Sequence, residues 1–214
     1  MTISKLSKTT ILSPNYSSGR NATVCKFTPH YMAGDLTVEQ CGEVFKPRSR
    51  QASSNYGIDS KGNIACYVDE DNRAWTSSSS WNDNRAITVE VANIDNDSGE
   101  ITDAAWQSLI KLATDVCHRY KFRLTYDGTK NGSLTEHNMF KDTSCPGPWI
   151  HRHLKDLANR VNKNLDSGNV DYSGTYDGIV TPSGIVTDTA IAYAAGINAG
   201  ILFDQSQITP YAIY

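Results

Sequence analysis

Between residues 86 and 120 the chain carries two periodicities that belong to different kinds of element. In AITVEVA (86–92), Ile87, Val89 and Val91 alternate with Thr88, Glu90 and Ala92, the period-two signature of a half-buried strand. Residues 103–120 instead set Trp106, Leu109, Ile110, Ala113, Cys117 and Tyr120 on one helical stripe, behind Thr102 as N-cap. The same succession recurs on both sides. ATVCKFTP (22–29) reads as a strand closed by Pro29, and Thr37-Val-Glu-Gln40 is a capping-box pattern. That box opens a helix with Val38, Cys41, Val44 and Phe45 at helical spacing. FRLTY (122–126) reads as a short strand. A last helix follows, with Pro148 near its start and Ile150, Leu154, Leu157, Ala158, Val161 and Leu165 on one face. Strands alternating with helices predict an α/β fold, a central β-sheet flanked by helices. SNYGI and NIACYV flank Asp59-Ser-Lys-Gly62, a hairpin turn, so the sheet is expected to be mixed.

The remaining segments set the organisation. Residues 1–20 read as an extended polar arm, residues 47–53 as a polar loop and residues 76–85 as a Ser/Asn/Asp-rich loop. A first domain over 1–165 is long enough to bury a substantial core. DSGNVDYSGTYDG and its surroundings, 166–179, read as a linker. Residues 180–214 are apolar and β-prone, too short for a core of their own, and form a small C-terminal element. Its tyrosines (Tyr172, Tyr176, Tyr193, Tyr211 and Tyr214, counting two from the linker) are read as strand packing, with stacking on sugars as the alternative.

Composition then excludes some classes. No apolar run approaches the roughly 18 residues of a membrane span, so no membrane insertion is expected. A net charge of −3 argues against nucleic acid as a partner. Five cysteines without a CxxC pair do not make a disulfide framework; Cys25, Cys41, Cys66 and Cys117 read as small core hydrophobes in a reducing compartment. The N-terminus lacks the apolar stretch of a secretory signal.

His137 and Cys145 share a loop with seven residues between them, and His30 ends a strand. Imidazole and thiolate are zinc ligands, and a catalytic zinc takes three protein ligands with one position left open. Each of these residues alone has a plainer reading, a surface or core histidine and a buried thiol. Glu90 stands mid-strand, where glutamate is depleted, on the face opposite Ile87, Val89 and Val91. It is either the exposed face of an edge strand or a carboxylate placed to move a proton. His118, His151 and His153 read as solvated.

TPHYMAG, SSNYGIDSKGNIACYVDEDNRAW, NDNRAITVEV and LTEHNMFKDTSCPGP stand in an order and spacing that resemble the type-2 N-acetylmuramoyl-L-alanine amidases. That fold is shared by phage lysins, bacterial autolysins and animal peptidoglycan recognition proteins, and the resemblance spans about residues 22–160, in the style of phage and prophage endolysins. It implies hydrolysis of the amide between N-acetylmuramic acid and L-alanine, with peptidoglycan as partner. It further implies Zn2+ on His30, His137 and Cys145, Glu90 as catalytic glutamate, and Thr143 helping to stabilise the oxyanion. Trp75 matches an aromatic near the substrate groove, Asn84 lies in the loop leading to the glutamate strand, and Asn55 is placed with them as substrate-binding. The chain departs from the pattern at Ser54 and Asn55, where many members have Tyr or His, which leaves more of the work to Glu90 and zinc. An endolysin-like chain with no signal is expected in the host cytoplasm before release, acting at the wall, with wall binding or self-association for residues 180–214. A cysteine-type wall peptidase built on Cys145 and His137, and a non-catalytic peptidoglycan-binding module, are the alternatives.

Overall fold

The computed structural model describes residues 1–168, together with the backbone of residues 179–181 and 184–186. Its sheet forms around β3 (Lys26–Tyr31), β4 (Tyr56–Ile58), β5 (Ile64–Cys66) and β7 (Ala86–Val91), with β1 (Thr9–Thr10) at one edge. The order is β1-β5-β4-β7-β3, and only the β4–β5 hairpin is antiparallel. The expected mixed sheet is therefore present. A separate two-stranded ribbon pairs β2 (Tyr16–Ser17) with β6 (Arg73–Ala74).

Two strand readings are corrected. Pro29 does not close the first long strand; β3 starts at Lys26 and runs through Pro29 and His30 to Tyr31. An imino acid is tolerated because β3 is the outer strand, so its missing N–H takes nothing from the ladder. FRLTY forms no strand. The place beside Phe27 is taken by Leu134, and the 122–126 segment is held piecemeal, Leu124 by both ends of the Asn162 amide, Thr125 N–H by Ser133 Oγ and Thr125 O by Leu134 N–H.

β7 is central and buried on both faces, not half-buried as its alternation suggested. Its register with both parallel neighbours puts the apolar residues together: Ile87 opposite Phe27, Val89 opposite Tyr56, Val91 opposite Ile58. The other face is polar, with Thr28 opposite Thr88 and His30 opposite Glu90. Those hydroxyls are satisfied in a buried web, where Thr28 Oγ1 meets Thr135 Oγ1 at 2.8 Å and accepts from the Asn82 amide at 3.1 Å. Burying polar groups on a sheet is tolerable only when they are so paired.

Helix α1 (Val38–Phe45) starts with the complete capping box, Thr37 Oγ1 accepting from Gln40 N–H and Gln40 Oε1 from Thr37 N–H. Val38, Cys41 and Phe45 are buried, but Val44, counted with the apolar set, is 40% exposed. Helix α3 (Asp103–Tyr120) carries its Thr102 cap and packs on α4 (Gly147–Ser167), with Leu109, Ala113, Leu154, Leu157 and Val161 buried. The loop 76–85 contains one further turn, α2 (Ser80–Asp83).

Residues 1–20 are extended but are no free arm. Ser4, Leu6, Ser13 and Asn15 are buried, and Ser4 N–H donates to Tyr56 Oη at 2.7 Å. Tyr56 in turn donates to Glu70, a fully buried carboxylate that also takes a bidentate Arg119 and the Tyr120 hydroxyl. Four cysteines are buried and all five are free; Cys25, expected in the core, is exposed, and Cys145 is the fourth buried one.

The chain divides into units Met1–Val170 and Asp171–Tyr214. In the second, β8 (Ile179–Thr181) and β9 (Gly184–Val186) form an antiparallel pair. The remaining linker and C-terminal readings, including the tail tyrosines, lie outside the described residues. Among the described residues no helix is long and apolar enough to cross a membrane.

Candidate metal centre and active site

Three separate segments deliver the central side chains. His30 stands near the end of β3, His137 opens a 3₁₀ turn (His137–Met139), and Cys145 lies two residues ahead of α4. The turn is tethered to Cys145 by the backbone bond Asn138 N–H to Cys145 O at 3.2 Å. Gly147 completes the approach. Its φ is +85°, and a Cβ there would stand 3.2 Å from the Tyr31 ring, so only glycine suits the step into the helix.

The ligand-type atoms of His30, His137 and Cys145 lie within 4.8 Å of one another. His30 Nδ1 is 3.3 Å from Cys145 Sγ, and the two imidazole centroids are 4.9 Å apart. The Nε2 atoms of both histidines are buried with no hydrogen-bond partner. Buried polar atoms are rarely left alone, so two such nitrogens beside a thiol suit an ion. Burial, and then the neighbouring His137, push the His30 pKa well below its usual range; burial and Lys141 lower that of His137. Both rings are therefore neutral at pH 7, with lone pairs free for coordination. Burial raises the Cys145 thiol, with Glu90 adding to it.

The cluster lies on the wall of a cavity of about 670 Å³ that Trp75, Glu90 and Thr143 also line, together with Cys41 and Phe45 from α1. Glu90 stands between His30 and Gly57 in register. Gly57 leaves its place empty for a reason: a Cβ there would fall 2.3 Å from Tyr67 Oη. The Glu90 carboxylate has no hydrogen-bond partner among the described residues, and burial pushes its pKa up to about 8, with the Arg50 charge opposing.

Six of the eight sequence-derived site residues thus share one cavity. Asn55 and Asn84 do not line it. Asn55 is fully buried directly ahead of β4, its amide donating to Val68 O and accepting from Thr88 and Arg20. Asn84 is tied to Ser80 O and Asn21 N–H beside a second, smaller cavity. Both are held by backbone and neither faces the cluster. Of the histidines read as solvated, His118 is exposed, His151 is exposed but bonds the buried Glu136 at 2.7 Å, and His153 is half-buried, stacked on Trp149 at 3.8 Å. Arg50 and Arg73, which the sequence reading passed over, line the cavity. Arg50 lies within the 47–53 loop and Arg73 two residues before Trp75, and neither position carries a mark in the sequence.

A family profile, Amidase_2, N-acetylmuramoyl-L-alanine amidase, matches residues 20–148. No curated protein matches in sequence. Among solved structures, one titled as a selenomethionine AmpD derivative is 19% identical, covering 73% of this chain and 96% of that one, with a TM-score of 0.56. The endolysine amidase LysCS of Clostridium intestinale is 16% identical, covering 72% and 97%, with a TM-score of 0.52. A Staphylococcus aureus hydrolase, AmiA, solved with its ligand, is 20% identical, covering 74% and 82%, with a TM-score of 0.54. At these identities the structural likeness speaks to the fold, and the profile, matched over more than half of the chain, to the family. On that match, the chain belongs to the N-acetylmuramoyl-L-alanine amidase family.

Proposed function

We propose that this amidase is zinc-dependent, with His30, His137 and Cys145 as ligands, Glu90 as proton carrier and Thr143 as an oxyanion donor. The supporting observation is the convergence of three ligand-type atoms within 4.8 Å on the wall of a cavity that Glu90 shares. Zinc in a three-ligand site supplies Lewis acidity, polarising a carbonyl and acidifying water at neutral pH. The rest falls to the protein. Glu90 Oε accepts the proton that the attacking water loses, and returns it to the L-alanine nitrogen as the C–N bond breaks. The products are a lactyl carboxylate on the muramic acid and a free amine on the peptide. A carboxyl whose proton affinity is raised by burial suits this shuttle, since a general base works best with a pKa near the working pH. The Thr143 hydroxyl, on the same wall, donates toward the oxygen on which charge develops. Trp75, held by its indole N–H to Ser17 Oγ at 2.9 Å, offers a fixed face to the substrate.

A thiolate nucleophile has no support here. In the metal-free site burial, with Glu90 adding to it, raises the Cys145 thiol, the reverse of the electropositive setting of a reactive cysteine; the thiol would give up its proton on binding zinc.

The biological setting follows as part of the same proposal: an endolysin-type lysin acting at the bacterial wall, with catalytic residues 1–165, a linker over 166–179 and a wall-binding or self-associating element over 180–214. The test is digestion of purified peptidoglycan with and without a chelator, followed by mass spectrometry. New L-alanine amino termini, lost with chelator and restored by zinc, are the expected result. Cuts at glycosidic bonds, or activity indifferent to chelation, would overturn the reading.

A further inference from the structure

His137 and Cys145 stand on different segments, and the loop that joins them is open to solvent: Lys141, Asp142 and Ser144 are exposed. The backbone bond from Asn138 N–H to Cys145 O spans that loop at 3.2 Å. A second brace starts one residue ahead of His137. Glu136 is 2% exposed, and both of its carboxylate oxygens are taken. Tyr126 Oη donates to Oε1 at 2.6 Å, and His151 Nδ1 donates to Oε2 at 2.7 Å. A carboxylate bonded through both oxygens is fixed in orientation, and the backbone that carries it is held with it. The preceding residue adds a tie to the strand of His30, Thr135 N–H bonding Phe27 O at 3.1 Å.

His151 belongs to α4, six residues after Cys145. The Glu136–His151 bond therefore joins the segment of one ligand-type residue to that of another. Its chemistry is poorly suited to stabilising the fold. The His151 side chain is 56% exposed, and a carboxylate taken out of water loses hydration that such a partner returns only in part. Its position is well suited to fixing geometry, since a metal centre tolerates little drift in the spacing of its ligands. Neither residue belongs to the converging set of ligand-type atoms, and neither lines the cavity.

We propose that Glu136 and His151 are positioning residues for the metal centre, a side-chain clamp that sets the turn of His137 against the start of α4. The proposal rests on the metal reading of His30, His137 and Cys145. It adds that the spacing of two of those ligands is governed by a bond made outside the cavity.

The test uses the full chain, stripped of metal, then titrated with zinc against a chromophoric chelator and with Co2+ as a spectroscopic stand-in. His151→Ala opens the clamp from its exposed end, so the fold should survive, as the thermal midpoint of the metal-free protein checks. This variant should bind zinc about tenfold more weakly and shift the visible cobalt bands, which report ligand geometry. His151→Asn, whose amide can donate from the same place, should recover most of both. Glu136→Ala should weaken zinc at least as much, and adding His151→Ala to it should change nothing further, because both break one bond. Wild-type affinity and cobalt bands in His151→Ala, or a His151→Asn as weak as His151→Ala, overturn the proposal. A metal-free midpoint that falls in step with the zinc affinity would mark a purely structural contact and overturn it as well. Failure of the metal reading shows separately, in the wild type, as no uptake of cobalt or no thiolate absorption, and it removes the clamp's purpose with it.

Discussion

Glu90 sets two requirements against each other. In the proton-carrying role proposed for it, Glu90 must ionise in the middle of a sheet, and the same burial that raises its pKa to about 8 makes that ionisation costly to the fold. The sign is fixed by linkage. In metal-free protein the folded pKa lies above the unfolded value, so stability is full below the unfolded pKa and is lost as pH rises toward about 8. Glu90→Gln keeps the shape and removes the ionisation. Its thermal midpoint, measured after chelation, should equal the wild type near pH 4.5, exceed it by a growing margin through pH 5–8 and by a constant margin above. A flat difference across that range would refute the burial argument. The same variant should lose about 10²–10⁴ in rate on purified wall while retaining its zinc, measured by elemental analysis. Loss of the metal along with the activity would make Glu90 structural.

At the scale of elements, α1 matters because it walls the cavity with Cys41 and Phe45. The helix has eight residues, below the length at which propensity alone sustains one, so its reciprocal cap carries weight. Thr37→Ala should destabilise the protein by about 1 kcal/mol in urea titration, with the unfolding slope unchanged. A negligible change would mean that packing of Val38, Cys41 and Phe45 suffices without it. Local rules like this one were legible in the sequence: both Thr caps, the Asp59–Gly62 turn and the long helices all stand where spacing placed them. Competition between segments was not. FRLTY has the composition of a strand, yet Leu134 holds the position beside Phe27, and no window around 122–126 reveals that. Pro29 likewise reads as a stop until the sheet order shows it on the outer strand. In the site, ligand chemistry singled out His30, His137 and Cys145 as candidates and only the family resemblance joined them into one set, whereas nothing in the sequence sets Arg50 and Arg73 apart from other arginines.

For the whole domain, the tie between its beginning and its long helices is Glu70. Its carboxylate is fully buried, and Arg119, from α3, supplies a two-pronged partner that also bonds Asp115. Breaking such a pair from one side leaves an uncompensated charge in the interior. Arg119→Ala should therefore cost about 3–5 kcal/mol by chemical denaturation, far more than Arg123→Ala, whose ion pair with Asp166 is exposed. Similar losses in the two variants would mean that solvent reaches Glu70.

The two-residue strand β1 has a role out of proportion to its length. It pairs with β5 in parallel register and so covers the outer row of N–H and C=O groups on Ile64–Cys66. Trimming residues 1–12 to shorten the protein would uncover that row and leave an apolar ribbon ready to recruit another molecule. The shortened chain should emerge as oligomers or precipitate, with light scattering that rises more steeply with concentration than that of the intact chain. The leading segment, polar and unremarkable in sequence, serves as the molecule's guard against its own aggregation.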